Sequence, residues 1–380
     1  MINSRRYDLD WLRILAFGVL IYFHTAIIFV PEGVPLIRNT ELSDSLAIFV
    51  NISAQFRLSL LFFISGVGVA FARRRRTSKE FIRERSVRLL PPLLFSMLIV
   101  VPPMVYTEKL FMGEFAGSFL QFYPRYFTEG TYPAGNFSWH HLWFVAYLYL
   151  FCLLGTKVFA WLEDSNHNRL DRILSAMRGY WIFLPLLPLW CIELFLRPLF
   201  PGFRDLIHDW ASFSHWFVVF VCGFLIAHRE SLLDFTMRIR YFAGSLVIAS
   251  TGLAYLVFGS MNFNVQLLDE YLVPKYFLYT ILSAVMVWSA ILCCLGMAGR
   301  FLRFSSRALS YLNEAVYPLF ILHLPFIIIF GYWVVQTDWS VSAKFLIIAN
   351  ATLVAIVVIY HLLIRPFDSM RYLFGVRPKR

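Results

Sequence analysis

The chain has 380 residues, of which 59% are apolar, 18% aromatic and only 15% charged, and this balance excludes an ordinary soluble globular domain. Its net charge of +11 is scattered along the chain and forms no single aromatic-interleaved face, which excludes a nucleic-acid binder. An integral membrane protein remains.

Apolar stretches of roughly the twenty residues that a helix needs to cross a hydrocarbon core recur along the whole length. About ten are predicted, at 12–31, 44–72, 89–107, 141–162, 180–200, 212–228, 241–259, 276–298, 310–335 and 344–364. The second is long enough to tilt or to extend past the bilayer. No soluble domain fits between them, so residues 1–380 read as one all-α, polytopic membrane domain. Lys and Arg accumulate in cytoplasmic loops. With the N-terminus inside, about 24 basic residues fall in inward segments, among them Arg5, Arg6, the run Arg73 to Arg76, Arg178 and Arg380, against about 7 outside, including Arg38, Arg197 and Arg204. Both termini are therefore expected in the cytoplasm.

The first span, "DLDWLRILAFGVLIYFHTAIIF", follows Arg5 and Arg6 as a signal peptide would. The sequence after it, "IIFVPEGVPL", offers no small-residue cleavage site, so the span is expected to stay in the mature protein. It carries Arg13 and His24, and ionisable groups inside a span are costly enough to mark function or a watery cavity. Their spacing is close to three helical turns, so they share one face about 16 Å apart along the axis. An imidazole accepts a proton from a hydroxyl at neutral pH and returns it, which makes His24 the candidate catalytic group, as general base or as acyl carrier. Arg13 is its candidate partner at the cytoplasmic end, with Asp10 one turn away to orient or neutralise the guanidinium.

In span two, "QFRLSLLFFISGVGVAFA" places Arg57 within the apolar stretch, and Ser65, Gly66 and Gly68 where helices or a ligand approach closely. The loop "RRRRTSKEFIRERSVRLLPP" anchors the inner face; within it Arg85 and Arg88, at i and i+3, share a face of a helical approach to span three and are candidates for holding the phosphates of a cytoplasmic donor. After an aromatic-rich external segment, "NFSWHHLWFVAYLYL" opens span four. His141 and Trp143 there suit a sugar ring beside polar groups, and equally an interfacial aromatic belt. In "LSYLNEAVYPLFILHLPF", Glu314, Tyr317 and His323 read as a second polar lining, and the glutamate needs a partner that the sequence does not name. Cys152, Cys191, Cys222, Cys293 and Cys294 lie in apolar spans without metal-ligand spacing, and are expected to be buried thiols with neither metal nor disulfide.

Taken together, "RILAFGVLIYFH", "LFFISG", "RERSVRLLPP" and "HLWF" resemble the membrane acyltransferase-3 family. The resemblance implies about ten spans in a bacterial inner membrane and an O-acyltransferase with no bound cofactor. It also implies a cytoplasmic acyl-CoA donor and an extracytoplasmic glycan as acceptor. "FRLSLLFFISG", "HHLWFV", "YLNEAVYPLFILHLPF" and "IYHLLIRPFDSMRYLFG" are similar, in order, to the glucans biosynthesis protein C branch, which implies succinyl transfer to periplasmic glucan. Carried over, the resemblance makes Arg13 and His24 the essential pair and Arg85 and Arg88 the donor element. The chain departs from the pattern twice. "LWFVAYLYL" has no glutamate after its Trp, and His361 stands where that branch carries glutamate. Two other readings stay open: a multispan transporter or exporter of a small molecule or glycan intermediate, which buried charge also fits although no internal repeats are visible, and a non-catalytic envelope partner.

Overall fold

The computed structural model describes residues 6–31, 36–74, 76–164, 168–176, 179–202, 204–259 and 274–379. Arg5, Arg75, Arg178 and Arg380 of the charge count, and residues 32–35 after the first span, lie outside them. Among the described residues, β pairing is confined to an isolated bridge between Thr131 and Phe137; the rest of the regular structure is helical. Helices close all their backbone hydrogen bonds internally, which a bilayer demands because it supplies no water to unpaired peptide groups.

In chain order the helices are α1 (Tyr7–Ala26), α2 (Asp44–Arg73), α3 (Ser78–Phe95), α4 (Pro102–Phe111), α5 (Phe119–Thr128), α6 (Trp143–Glu163), α7 (Arg169–Ala176), α8 (Leu186–Cys191), α9 (Trp210–Ile226), α10 (Glu230–Phe258), α11 (Pro274–Phe301), α12 (Arg307–Val334), α13 (Val341–Ile359) and α14 (Asp368–Leu373). Among the described residues nine helical segments are long and apolar enough to cross a membrane, and α9, with 17 residues, is a shorter tenth. The predicted spans and these segments correspond one to one.

Two spans differ in detail. The third starts at Ser78 rather than near residue 89, because Thr77 and Glu80 form a capping box: the Thr77 amide donates to Glu80 Oε2 at 2.8 Å and the Glu80 amide to Thr77 Oγ1 at 3.3 Å. Arg83, Arg85 and Arg88 therefore sit on a formed helix, which continues through a π turn into α4. The fifth is broken into a 3₁₀ turn (Gly179–Phe183), α8 and a π turn (Ile192–Leu196), since Pro185, Pro188 and Pro198 each lack the N–H that a continuous helix would use.

The chain divides into two compact units. The first comprises Met1–Ala16, Asn51–Arg83 and Tyr147–Leu309; the second comprises Phe17–Val50, Glu84–Ala146 and Ser310–Arg380. In the first, α2 and α9 meet backbone to backbone. A Cβ added at Gly66 would strike the Phe220 carbonyl, and one added at Gly223 the Phe63 carbonyl. Gly66 is thus a packing glycine, whereas Gly68 has open space around it. In the same unit α11 is mostly buried, while α10 exposes Ile248 and Leu256 at 75% and 86%, an apolar face suited to lipid.

Candidate active site

α1 ends at Ala26, so His24 occupies its last turn, partly accessible, at the far end from Arg13. Within the second unit the His24 ring lies 5.3 Å from that of His323, centroid to centroid, and His323 lies 5.1 Å from His141. Three imidazoles thus stand in a row, supplied by α1, α12 and the 3₁₀ turn His140–Leu142 that opens α6. Phe17 packs edge-on against His323 at 5.8 Å, and Phe320 lies 5.5 Å from His323 and 5.7 Å from His141. His323 is fully buried and His141 nearly so.

The sequence explains how this row is fixed. Proline at 325 carries no N–H, so the carbonyl of Ile321, four residues earlier in α12, loses its helical donor. His141 Nε2 lies 2.9 Å from that oxygen. A carbonyl only accepts, so His141 carries its proton on Nε2 and keeps Nδ1 as a lone pair, which is buried and makes no hydrogen bond. His323 Nδ1 likewise donates to the Phe320 carbonyl, which leaves Nε2 as its basic nitrogen. Both tautomers are set by backbone oxygens, and each ring keeps one nitrogen as an acceptor.

This arrangement predicts the effect of Pro325→Ala. The alanine restores an N–H that competes for the Ile321 carbonyl, and His141 is released from its anchor. We expect the turnover rate to fall roughly 10- to 100-fold through lost positioning, with the KM for the donor unchanged and the protein still accumulating in membranes. Unaltered kinetics would show that the proline only shapes α12.

The other residues singled out in the sequence fall as follows. Arg13 pairs with Asp10 at 3.9 Å in the first unit, the i, i+3 relation expected of them. Arg57 is only 4% exposed, in α2, and lies within electrostatic reach of Arg204. Trp143 is buried, which removes it from an interfacial belt; its ring meets Phe144, which packs on Phe320 at 5.7 Å. Arg85 and Arg88 are half-buried on α3, and Arg88 Nε donates to the Gly375 carbonyl at 3.3 Å. The Tyr317 hydroxyl is buried without a hydrogen bond.

Glu314 and His323 do not form one lining. Nine residues of helix set them on opposite faces of α12. The partners that the sequence left unnamed are Tyr360, whose hydroxyl donates to Glu314 Oε1 at 2.7 Å, and Arg371, whose guanidinium donates to the same oxygen at 3.0 Å. His361 lies beside this group, its Nδ1 3.4 Å from the Tyr311 hydroxyl.

In the segment before α6, the Tyr126 hydroxyl donates to the Ser138 carbonyl at 2.9 Å and so fixes the approach to His141. Burial pushes the Tyr126 phenol up to about 12, which keeps it a donor at any physiological pH.

A second polar group, in the first unit, went unrecognised in the sequence. Ser59 Oγ lies 3.3 Å from His215 Nε2, and His215 Nδ1 lies 3.0 Å from Glu193 Oε1. Arg197 clamps Glu193 with two hydrogen bonds, at 2.8 and 2.9 Å, and donates a third to Ser212 Oγ at 2.7 Å. All five side chains are buried or nearly so and satisfy one another, so the group ties α2, the broken fifth span and α9 together. The signal for it was present: Glu193 and Arg197 stand at i and i+4 in the favourable order within an apolar run. Among the described residues no group of three His, Cys, Asp or Glu side chains is placed to hold a metal ion.

A family model described as an acyltransferase domain, that of acyltransferase-3, matches residues 6–361. No curated protein and no solved structure matches the chain. With nearly its whole length covered and a polytopic helical fold, the chain belongs to the acyltransferase-3 family and is a membrane acyltransferase.

Proposed function

We propose that this acyltransferase moves a short acyl group, succinyl or acetyl, from cytoplasmic acyl-CoA to a hydroxyl of an extracytoplasmic glycan, periplasmic glucan being the acceptor that the motif resemblance favours. The observation that carries the reading is the row His24, His323 and His141 at the end of α1 within a chain of this family.

In the proposed reaction His24 takes the proton of the acceptor hydroxyl as its oxygen attacks the thioester carbonyl. The carbon–sulfur bond then breaks, the ester forms, and the coenzyme A thiolate leaves and takes up the proton. His323 and His141 hold acceptor nitrogens beside the reacting hydroxyl and keep His24 in place. Arg13, always charged, serves as a fixed positive charge, since a guanidinium is no base. Arg85 and Arg88 hold donor phosphates. The membrane is the bacterial inner membrane, with both termini cytoplasmic.

Arg85→Gln with Arg88→Gln is expected to raise the apparent KM for acyl-CoA about tenfold or more with little change in kcat, because charge-assisted bonds to phosphate are lost. Steady-state kinetics in nanodiscs with acetyl-CoA and succinyl-CoA make the measurement and show which acyl group is accepted. An unchanged KM would confine these arginines to a topological role.

A further inference from the structure

Glu108 stands in the last turn of α4 and is only 2% exposed. Its Oε1 accepts from the Tyr132 hydroxyl at 3.3 Å, while its Oε2 is buried and makes no hydrogen bond. Lys109, next in the chain, turns to Glu114 at 2.5 Å, so among the described residues no ion pair reaches Glu108.

Tyr132 leads on to the histidines of the same unit. Its ring, half-buried, lies 4.7 Å from that of His140, whose Nε2 is likewise buried without a hydrogen bond. His140 holds φ at +41°, a left-handed backbone that a residue with a Cβ adopts only at a cost, and its amide donates to Ser138 Oγ at 2.9 Å. Backbone strain of this kind gathers at functional sites. The next residue is His141, the end of the imidazole row, whose Nδ1 is a buried lone pair that no donor meets.

Glu108 Oε2 and His141 Nδ1 share one chemistry, since both accept. Buried polar groups are paired as a rule, so acceptors left without donors along one series of contacts call for a ligand that brings donors. A phosphate or carboxylate would set lone pairs against lone pairs. A metal ion is a poor match, because among the described residues no three His, Cys, Asp or Glu side chains are placed to hold one. Sugar hydroxyls supply the missing donors, and the Tyr132 and His140 rings suit the apolar face of a sugar.

We infer that Glu108, Tyr132 and His140 extend the imidazole row into a subsite for the sugar hydroxyls of the acceptor, with Glu108 Oε2 and His141 Nδ1 each accepting from an O–H of the glycan. The inference rests on the transfer to a glycan proposed above and names residues that hold the acceptor apart from those that hold the donor.

The test uses the full chain in nanodiscs, with unacylated periplasmic glucan from a strain lacking the protein as acceptor probe. The donor is acetyl-CoA or succinyl-CoA, whichever is turned over. Glu108→Gln keeps the shape and the Tyr132 bond but turns the second oxygen into an N–H donor. It is expected to raise the glucan KM about tenfold or more while the donor KM stays as in wild type. His140→Gly relieves the left-handed backbone and removes the ring, so it is expected to accumulate at least as well as wild type and still to raise the glucan KM about threefold to tenfold. Glucan binding without donor, followed by titration calorimetry, is expected to weaken in step. Donor and acceptor KM raised alike, with a lowered monomer yield, would show that the group only supports the fold, which overturns the inference. If wild type acylates glucan and neither substitution moves its KM or its binding, the glycan reading stands and the subsite fails. If wild type neither binds nor acylates glucan, both fall.

Discussion

His24→Ala is expected to lower acyl transfer by about 10²- to 10⁴-fold, the usual loss when a general base is removed. The ring sits in the last turn of α1, partly accessible and edge to face with its neighbour Phe23 and beside His323, so its removal opens a space next to His323 without stranding a buried charge. His323 and His141 are each committed through one nitrogen to a backbone carbonyl. They are therefore poorly placed to turn and replace His24. Release of coenzyme A thiol, followed with purified protein at matched loading, makes the measurement. A variant retaining full rate would end the role assigned to His24.

Arg197→Ala is expected to produce the largest loss of stability. It leaves the Glu193 carboxylate buried beside His215 without its counter-ion, and breaking one side of a buried pair costs about 3–5 kcal/mol. The paired change Glu193→Leu with Arg197→Met removes both charges and fills similar volume, so it is expected to recover most of that loss. Thermal unfolding in detergent, with monomer yield as a second readout, distinguishes the two variants. Equal destabilisation by the single and paired changes would show that the charge pairing is incidental to the fold.

The helices were largely legible because the bilayer imposes one signal, a run of about twenty apolar residues, on every span. That signal is blind where a helix leaves the hydrocarbon. α3 begins at Ser78 under the Thr77–Glu80 capping box, so the charged turn bearing Arg85 and Arg88 is helical, as their i, i+3 spacing suggests, although no hydropathy window includes it. It is equally blind to what an apolar face meets: α10 and α11 read alike in sequence, yet one exposes Leu256 and the other is mostly buried. Proline carried more than its usual meaning. Pro325 reads as a kink, whereas its consequence here is a free carbonyl that orients His141.

His24, His141 and His323 were each visible as ionisable groups in apolar runs. Their juxtaposition was not, since it depends on how three distant helices pack. The Glu193 group was missed for a plainer reason. Arg197 counts as an outward loop charge under the topology rule, which gives no reason to pair it with Glu193 four residues earlier.

The proposed acyl transfer through His24 onto an extracytoplasmic glycan is tested by mass spectrometry of the periplasmic glycan fraction from a strain lacking the protein, complemented with wild type or with His24→Ala at matched membrane levels. An acyl-sized mass increment with wild type, absent with His24→Ala, is the predicted result. The same increment with both, or with neither, contradicts it.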